Sequence, residues 1–170
     1  MSHGLNVKMN CKVRSDELLE DTKLVLVRLL DLDMNDCPDL SIRRRQNGRE
    51  EKLGSKPVLL EGASFLIGLP GTDALTELVL YEVEALRGVP ESESGSQGSF
   101  CVSSASPALS FALAASAAIA FARRQKAIIR DWAAVWIYSR KNEYTVDDFI
   151  DGLATQGWFV DLKKEAKGLF

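Results

Sequence analysis

The chain has 170 residues, 46% of them apolar and including three Trp and seven Phe, enough material for one continuous core. Charged residues make up 26%, and 21 Lys plus Arg against 24 Asp plus Glu leave a formal charge of −3. A general nucleic-acid binder needs a basic excess to neutralise phosphates, and an acidic chain lacks it, so that class is set aside.

Three widely spaced cysteines, Cys11, Cys37 and Cys101, fit neither a disulfide framework nor a zinc site of the CxxC type, and they read as reduced thiols. Met1 to Asn10 has no apolar core of a secretory signal, so the expected compartment is the cytosol. Val7, Met9, Cys11 and Val13 alternate with polar residues, which predicts a strand with one wet face. Ser15 then stands where a cap would, with Asp16 and Glu17 in a first helical turn. Leu18, Thr22, Val25 and Leu29 follow helical spacing, and the run to Leu30 is read as a helix, although its middle also suits a strand.

Asp31 to Asp39, with Pro38, marks an acidic loop. Leu40, Ile42 and Arg44 predict a short strand ending at Asn47-Gly48, a dipeptide suited to a tight hairpin. Pro57 to Leu60 and Phe65 to Leu69 read as a second hairpin around Glu61 to Ser64, and Glu77 to Leu86 as a strand. Gly88 to Gly98 reads as a flexible surface loop, followed by a short strand Phe100 to Val102.

Ser106 is placed as the cap and Pro107 as the first residue of a long Ala-rich helix ending near Arg124, with basic residues at its negative end. Ala105 to Ala122 carries no charge, but its alanines and serines are too weakly apolar for a membrane span, so it is read as a core helix packed by protein on all sides. Ala127 to Tyr138 reads as one strand or a bent pair. Thr145 with Asp147 and Asp148 opens a final helix, and Gly157 separates it from a short element at Trp158 to Leu162. No internal repeat is present. The expected fold is a single α+β domain over residues 1–170, a mostly antiparallel sheet packed on the central Ala-rich helix and one or two others.

Candidate chemistry is sparse. His3 is the only histidine and lies in a segment expected to fray, which leaves no foundation for a Ser-His-Asp triad, a Cys-His pair or a histidine metal site, and no cofactor or metal is expected. Cys101 precedes the long helix but has no nearby base, so it reads as a buried strand thiol. Ser103, Ser104 and Ser106 lie where hydroxyls and free amides could hold a phosphate, yet no glycine-rich phosphate loop accompanies them and ordinary capping explains them. Asp131 inside an apolar run is a candidate base, with an ion pair or a strand end as the plainer reading. Asp147, Asp148 and Asp151 match what a helix dipole selects. Arg43, Arg44, Arg45 and Arg49 form a basic patch, more simply a solvated strand edge than a phosphate site. Trp132, Trp136, Trp158 and Phe159 read as core, with Trp158-Phe159 after Gly157 also able to present an exposed anchor.

From Phe100 to Phe149 the chain has a strand, a Ser-x-Ser-Pro helix start, an Ala-rich helix ending in Ala122-Arg123-Arg124, and then Ala127-Ile128-Ile129-Arg130-Asp131-Trp132. This arrangement resembles a region of some bacterial immunity proteins of polymorphic toxin systems, small cytosolic α+β inhibitors that bind a cognate toxin directly. The resemblance implies a stoichiometric, non-catalytic binder of a cognate toxin; the charge balance and the weakly apolar Ala-rich helix separately argue against a nucleic-acid or membrane partner. Under that reading the expected contacts with a basic toxin cleft are Asp31, Asp33, Asp36 and Asp39, with Glu91 and Glu93, and with Trp158 as an apolar anchor. Two alternatives stand beside it. One is a small-anion-binding domain or enzyme using Ser103, Ser104 and Ser106 with Asp131 as a base. The other is a structural adaptor, a homo-oligomer that buries the Ala-rich helix between protomers.

Overall fold

The computed structural model describes residues 2–53, 58–59, 62–84 and 94–169. Among them are eight strands and four helices, an α+β arrangement with one antiparallel sheet. The strands are β1 (Ser2–Lys8), β2 (Ser41–Gln46), β3 (Arg49–Lys52), β4 (Ser64–Gly68), β5 (Leu75–Val83), β6 (Gly95–Ser103), β7 (Ile129–Arg130) and β8 (Glu143–Tyr144). The helices are α1 (Ser15–Leu30), α2 (Ala108–Gln125), α3 (Val146–Ala154) and α4 (Gly157–Ala166). Strand order is β3-β2-β4-β5-β6-β1-β7-β8, so β1 is inserted between β6 and β7.

The period-two side-chain pattern separates the two faces of the sheet. On one face the cross-strand partners Leu5, Phe100, Leu78 and Phe65 form a buried row over four adjacent strands. Helix α2 packs on β1, β5 and β6 along this side. The other face carries Asn6, Glu77, Val79, Tyr81, Ser99 and Cys101, all half-exposed.

Every residue of α2 from Ala112 to Ala122 is buried. Small side chains allow this, because neighbouring backbones can approach from several directions at once. Ser116 lies inside this stretch with no exposure, and its hydroxyl donates to the Ala112 carbonyl one turn back, so no polar group is stranded. Where α2 meets the sheet, Gly98 supplies the clearance: a Cβ there would stand 3.2 Å from the Phe121 ring. Phe121 uses that space to meet Phe100 edge-on, with ring centroids 5.5 Å apart. The start of α1 lies beside the end of α2, where Arg124 bonds to Glu17 and Asp21. No helix among the described residues is long and apolar enough to cross a membrane.

The Asn47-Gly48 hairpin forms as expected, both residues at positive φ (50° and 74°) between β2 and β3. Thr145 caps α3, its side chain accepting from the Asp148 amide. Other boundaries differ from expectation. The first strand ends at Lys8, because the amides of Asn10 and Cys11 donate to the Gln125 side chain at 2.6 and 2.8 Å instead of to a strand partner. His3, expected in a fraying segment, is paired in that strand opposite Val102. The α1 cap position falls on Arg14, and Ser15 is a buried first-turn residue.

Val58 and Leu59, from the run expected to form a hairpin with Phe65 to Leu69, do not pair with β4. Val58 bridges Arg14 and the Leu59 amide donates to the Val13 carbonyl, while β4 pairs with β2 and β5; Pro57 and Leu60 lie outside the described residues. The fifth strand starts earlier than predicted, at Leu75, and Ala85 and Leu86 lie outside the described residues. Of the loop expected over 88–98, residues 95–98 belong to β6, whose pairing with both β5 and β1 fixes them, and 88–93 lie outside the described residues. Helix α2 is capped at Pro107 with no side-chain bond, one residue later than predicted. In Ala127 to Tyr138 only Ile129–Arg130 is strand, and the element at Trp158 to Leu162 is the longer helix α4.

Two consequences are measurable. Replacing Gly98 by Leu drives a side chain into Phe121 and Leu78, and urea unfolding is expected to show a loss of about 1–3 kcal/mol. The Arg14 guanidinium holds Asp16 down to about 2, chiefly through its hydrogen bond. A folded-state value below the unfolded one stabilises above about pH 4 and is lost as pH falls toward about 2. Asp16→Asn is therefore expected to remove that segment of the acid-induced loss in a pH series of thermal melts.

Candidate binding surface

After β7 the chain turns sharply at Asp131, whose carboxylate has no solvent exposure. Its two oxygens accept from the backbone amides of Val135 (3.2 Å), Trp136 (3.0 Å) and Ile137 (3.1 Å). Its own amide donates to the Asn142 carbonyl at 2.9 Å, joining the two ends of the excursion. Burial pushes this carboxyl above the ordinary carboxylate range, and the amides of Ile137, Val135 and Trp136 oppose that rise.

The loop so fastened has an inner and an outer side. On the inner side Trp136 is fully buried, its indole N–H donating to the Phe111 carbonyl at 3.0 Å and its ring 5.4 Å from that of Phe111. Ile137 packs against Gly152 of α3, where even a methyl would meet it at 2.6 Å. On the outer side Trp132 is 51% exposed and Tyr138 93% exposed. The Tyr138 amide donates to Gln156 Oε1 at 3.1 Å, which ties this side to the start of α4.

Trp158 is half-buried there, its indole donating to the Trp136 carbonyl at 3.2 Å and its ring 6.1 Å from Phe111. Together with Ser106, Ala108, Phe111 and Val135 it lines a shallow hollow of about 310 Å³. Trp158 is thus a wall of the surface, and the protruding aromatic groups are Trp132 and Tyr138. The sequence reading missed both. Trp132 shares an apolar run with the buried Trp136 and so has the local pattern of a core residue, and nothing local marks Tyr138.

The acidic loop is partly spent on the protein's own cations. Asp31 closes α1 at φ 58° and pairs with Lys167 at 3.3 Å, while Asp39 pairs with Lys23 at 2.7 Å. Asp33 accepts from the Asn35 amide and shapes a turn. Asp36 is exposed. Glu91 and Glu93 lie outside the described residues.

The serines before α2 do not meet Asp131. Ser103 and Ser106 line a different groove, of about 530 Å³, with Ser110, Arg45, Glu77 and Asp73, and Ser104 is simply exposed. In that groove Arg45 stands 3.7 Å from Glu77, and the Ser110 hydroxyl accepts from the Leu75 amide. One arginine against two acids gives little attraction for an anion. Asp131, its oxygens occupied by amides, has no access to a substrate proton, so the pairing of these serines with a base at Asp131 is not formed. Arg43 pairs with Glu50 at 3.0 Å, in keeping with a solvated edge. Cys101 is half-exposed and not buried, its sulfur 3.3 Å from the Ser99 hydroxyl. Among the described residues no three His, Cys, Asp or Glu side chains are placed to hold a metal ion. Nor is α2 free to bury itself against a second copy, since the chain's own elements already cover it.

Comparison with known proteins finds no match: no family model, curated protein or solved structure matches this chain.

Removing the Asp131 carboxylate leaves three amides without their acceptor. Asp131→Ala is expected to cost about 3 kcal/mol or more in urea unfolding, with loss of the near-ultraviolet signal of Trp136, and Asp131→Asn, which keeps one acceptor oxygen, less.

Proposed function

We propose that the chain is a cytosolic immunity protein that neutralises a cognate bacterial toxin by binding it directly, without catalysis. The observation that carries this reading is the pair Trp132 and Tyr138, exposed on a loop whose backbone is fixed by Asp131. Large aromatic side chains dominate the energetics of protein interfaces, and they do so best when little freedom is lost on binding. A loop fastened from within meets that condition, because its ordering cost falls on folding and not on association. The hollow beside it, walled by Trp158 and Phe111, offers a place for a partner's side chain.

The resemblance to immunity proteins over Phe100 to Phe149 spans this loop, which adds support from the sequence. Asp36 and the rest of the acidic loop contribute a negative field that speeds encounter with a basic partner. Their share is reduced by Lys23 and Lys167, so the aromatic surface is assigned the greater part of the affinity.

Co-expression with the product of each neighbouring gene that is toxic when expressed alone is the test. The expected outcome is protection of growth and a stoichiometric complex, with Trp132→Ala and Tyr138→Ala each weakening binding by about 2 kcal/mol, roughly thirtyfold, at unchanged melting temperature. Absence of protection together with absence of a complex overturns the proposal, as does full affinity in the double variant.

A further inference from the structure

A second surface lies apart from the aromatic loop. Helices α1, α3 and α4 enclose a groove of about 610 Å³ whose floor is Leu29, Ile150, Phe159 and Val160. Val160 is 40% exposed, and Leu29 and Ile150 are half-buried, so an apolar strip faces outward between helices. Around it stand Arg28 from α1 and Lys163, Lys164 and Lys167 from the end of α4. Four cations thus collect at one apolar groove on a chain whose formal charge is −3.

Their own counter-charges are few. Lys167 pairs with Asp31 at 3.3 Å and Lys164 with Asp161 at 3.2 Å, and all four of these side chains are more than half exposed, where such pairs contribute little and exchange readily. Among the described residues no acid stands within ion-pair distance of Arg28 or Lys163.

We propose that this groove receives an acidic amphipathic helix of a partner protein. An apolar stripe at helical spacing would fill the strip over Ile150 and Val160, and Asp or Glu on the flanks of that stripe would meet Arg28 on one element and the lysines on the other. The cations come from two elements, so the occupant must carry several negative charges distributed about an apolar body. A fatty acid brings one carboxylate at one end. A bilayer presents a flat surface, which fits a protruding patch and not a groove between helices. Helix α4 has ten residues, about 15 Å, so the bound helix engages about three turns. This inference concerns a surface distinct from Trp132 and Tyr138 and does not rest on the immunity reading.

The test is fluorescence anisotropy of the full chain with a labelled synthetic peptide of about four helical turns, Leu at helical spacing flanked by Glu, beside a counterpart with Lys for every Glu. The acidic peptide is expected to bind and the lysine peptide not. Affinity is expected to fall about tenfold or more in the double variant Lys163→Glu and Lys164→Glu, and again between about 50 and about 500 mM salt. Ile150→Asp is expected to abolish binding, while Trp132→Ala with Tyr138→Ala leaves it unchanged. The inference is overturned if the acidic peptide fails to bind, if both peptides bind alike, or if charge reversal at Lys163 and Lys164 has no effect. Co-sedimentation with phosphatidylserine vesicles in place of peptide binding overturns it as well.

Discussion

The arrangement depends on one helix that must be enclosed on every side. From Ala112 to Ala122 α2 offers mostly methyl groups, each worth little when buried, so its stability comes from close approach by many neighbours at once. The sheet takes one side, with Gly98 thinned to admit Phe121. The other helices, α1, α3 and α4, also pack on it. The loop after β7 seals the approach at Phe111 through the buried indole of Trp136.

That last closure links packing to the proposed function. Trp136 can point inward only if the backbone around it gives up three amides to something buried, and Asp131 supplies the acceptor. The same turn sends Trp132 and Tyr138 outward. A carboxylate that began as a candidate base is therefore a positioning group, and its burial is a requirement of the loop and no sign of chemistry. The aromatic groups it holds are the ones to which the proposed function assigns the contact with a partner.

Much of this frame was legible from residues near one another in sequence. The Ala-rich run with Pro107 before it and Arg123 and Arg124 at its end announced α2 to within a residue, and Asn47-Gly48 and Thr145 marked their turn and cap. What escaped depends on partners far along the chain. Gln125 captures the amides of Asn10 and Cys11 across more than a hundred residues, which shifts the first strand, and no local pattern encodes that. The run Ala127 to Tyr138 has the composition of a strand, and a single buried carboxylate with three amide donors turns most of it into a loop. The acidic residues were visible as charges, but not the lysines at positions 23 and 167 that partly neutralise them.

The dependence of the loop on Asp131 is open to direct measurement by amide hydrogen exchange. With the carboxylate as acceptor, the amides of Val135, Trp136 and Ile137 are expected to exchange only through global unfolding, as slowly as those in the centre of α2, although no helix or sheet ladder protects them. Exchange of these three amides at the rate of an open loop, with α2 still protected, would contradict the account.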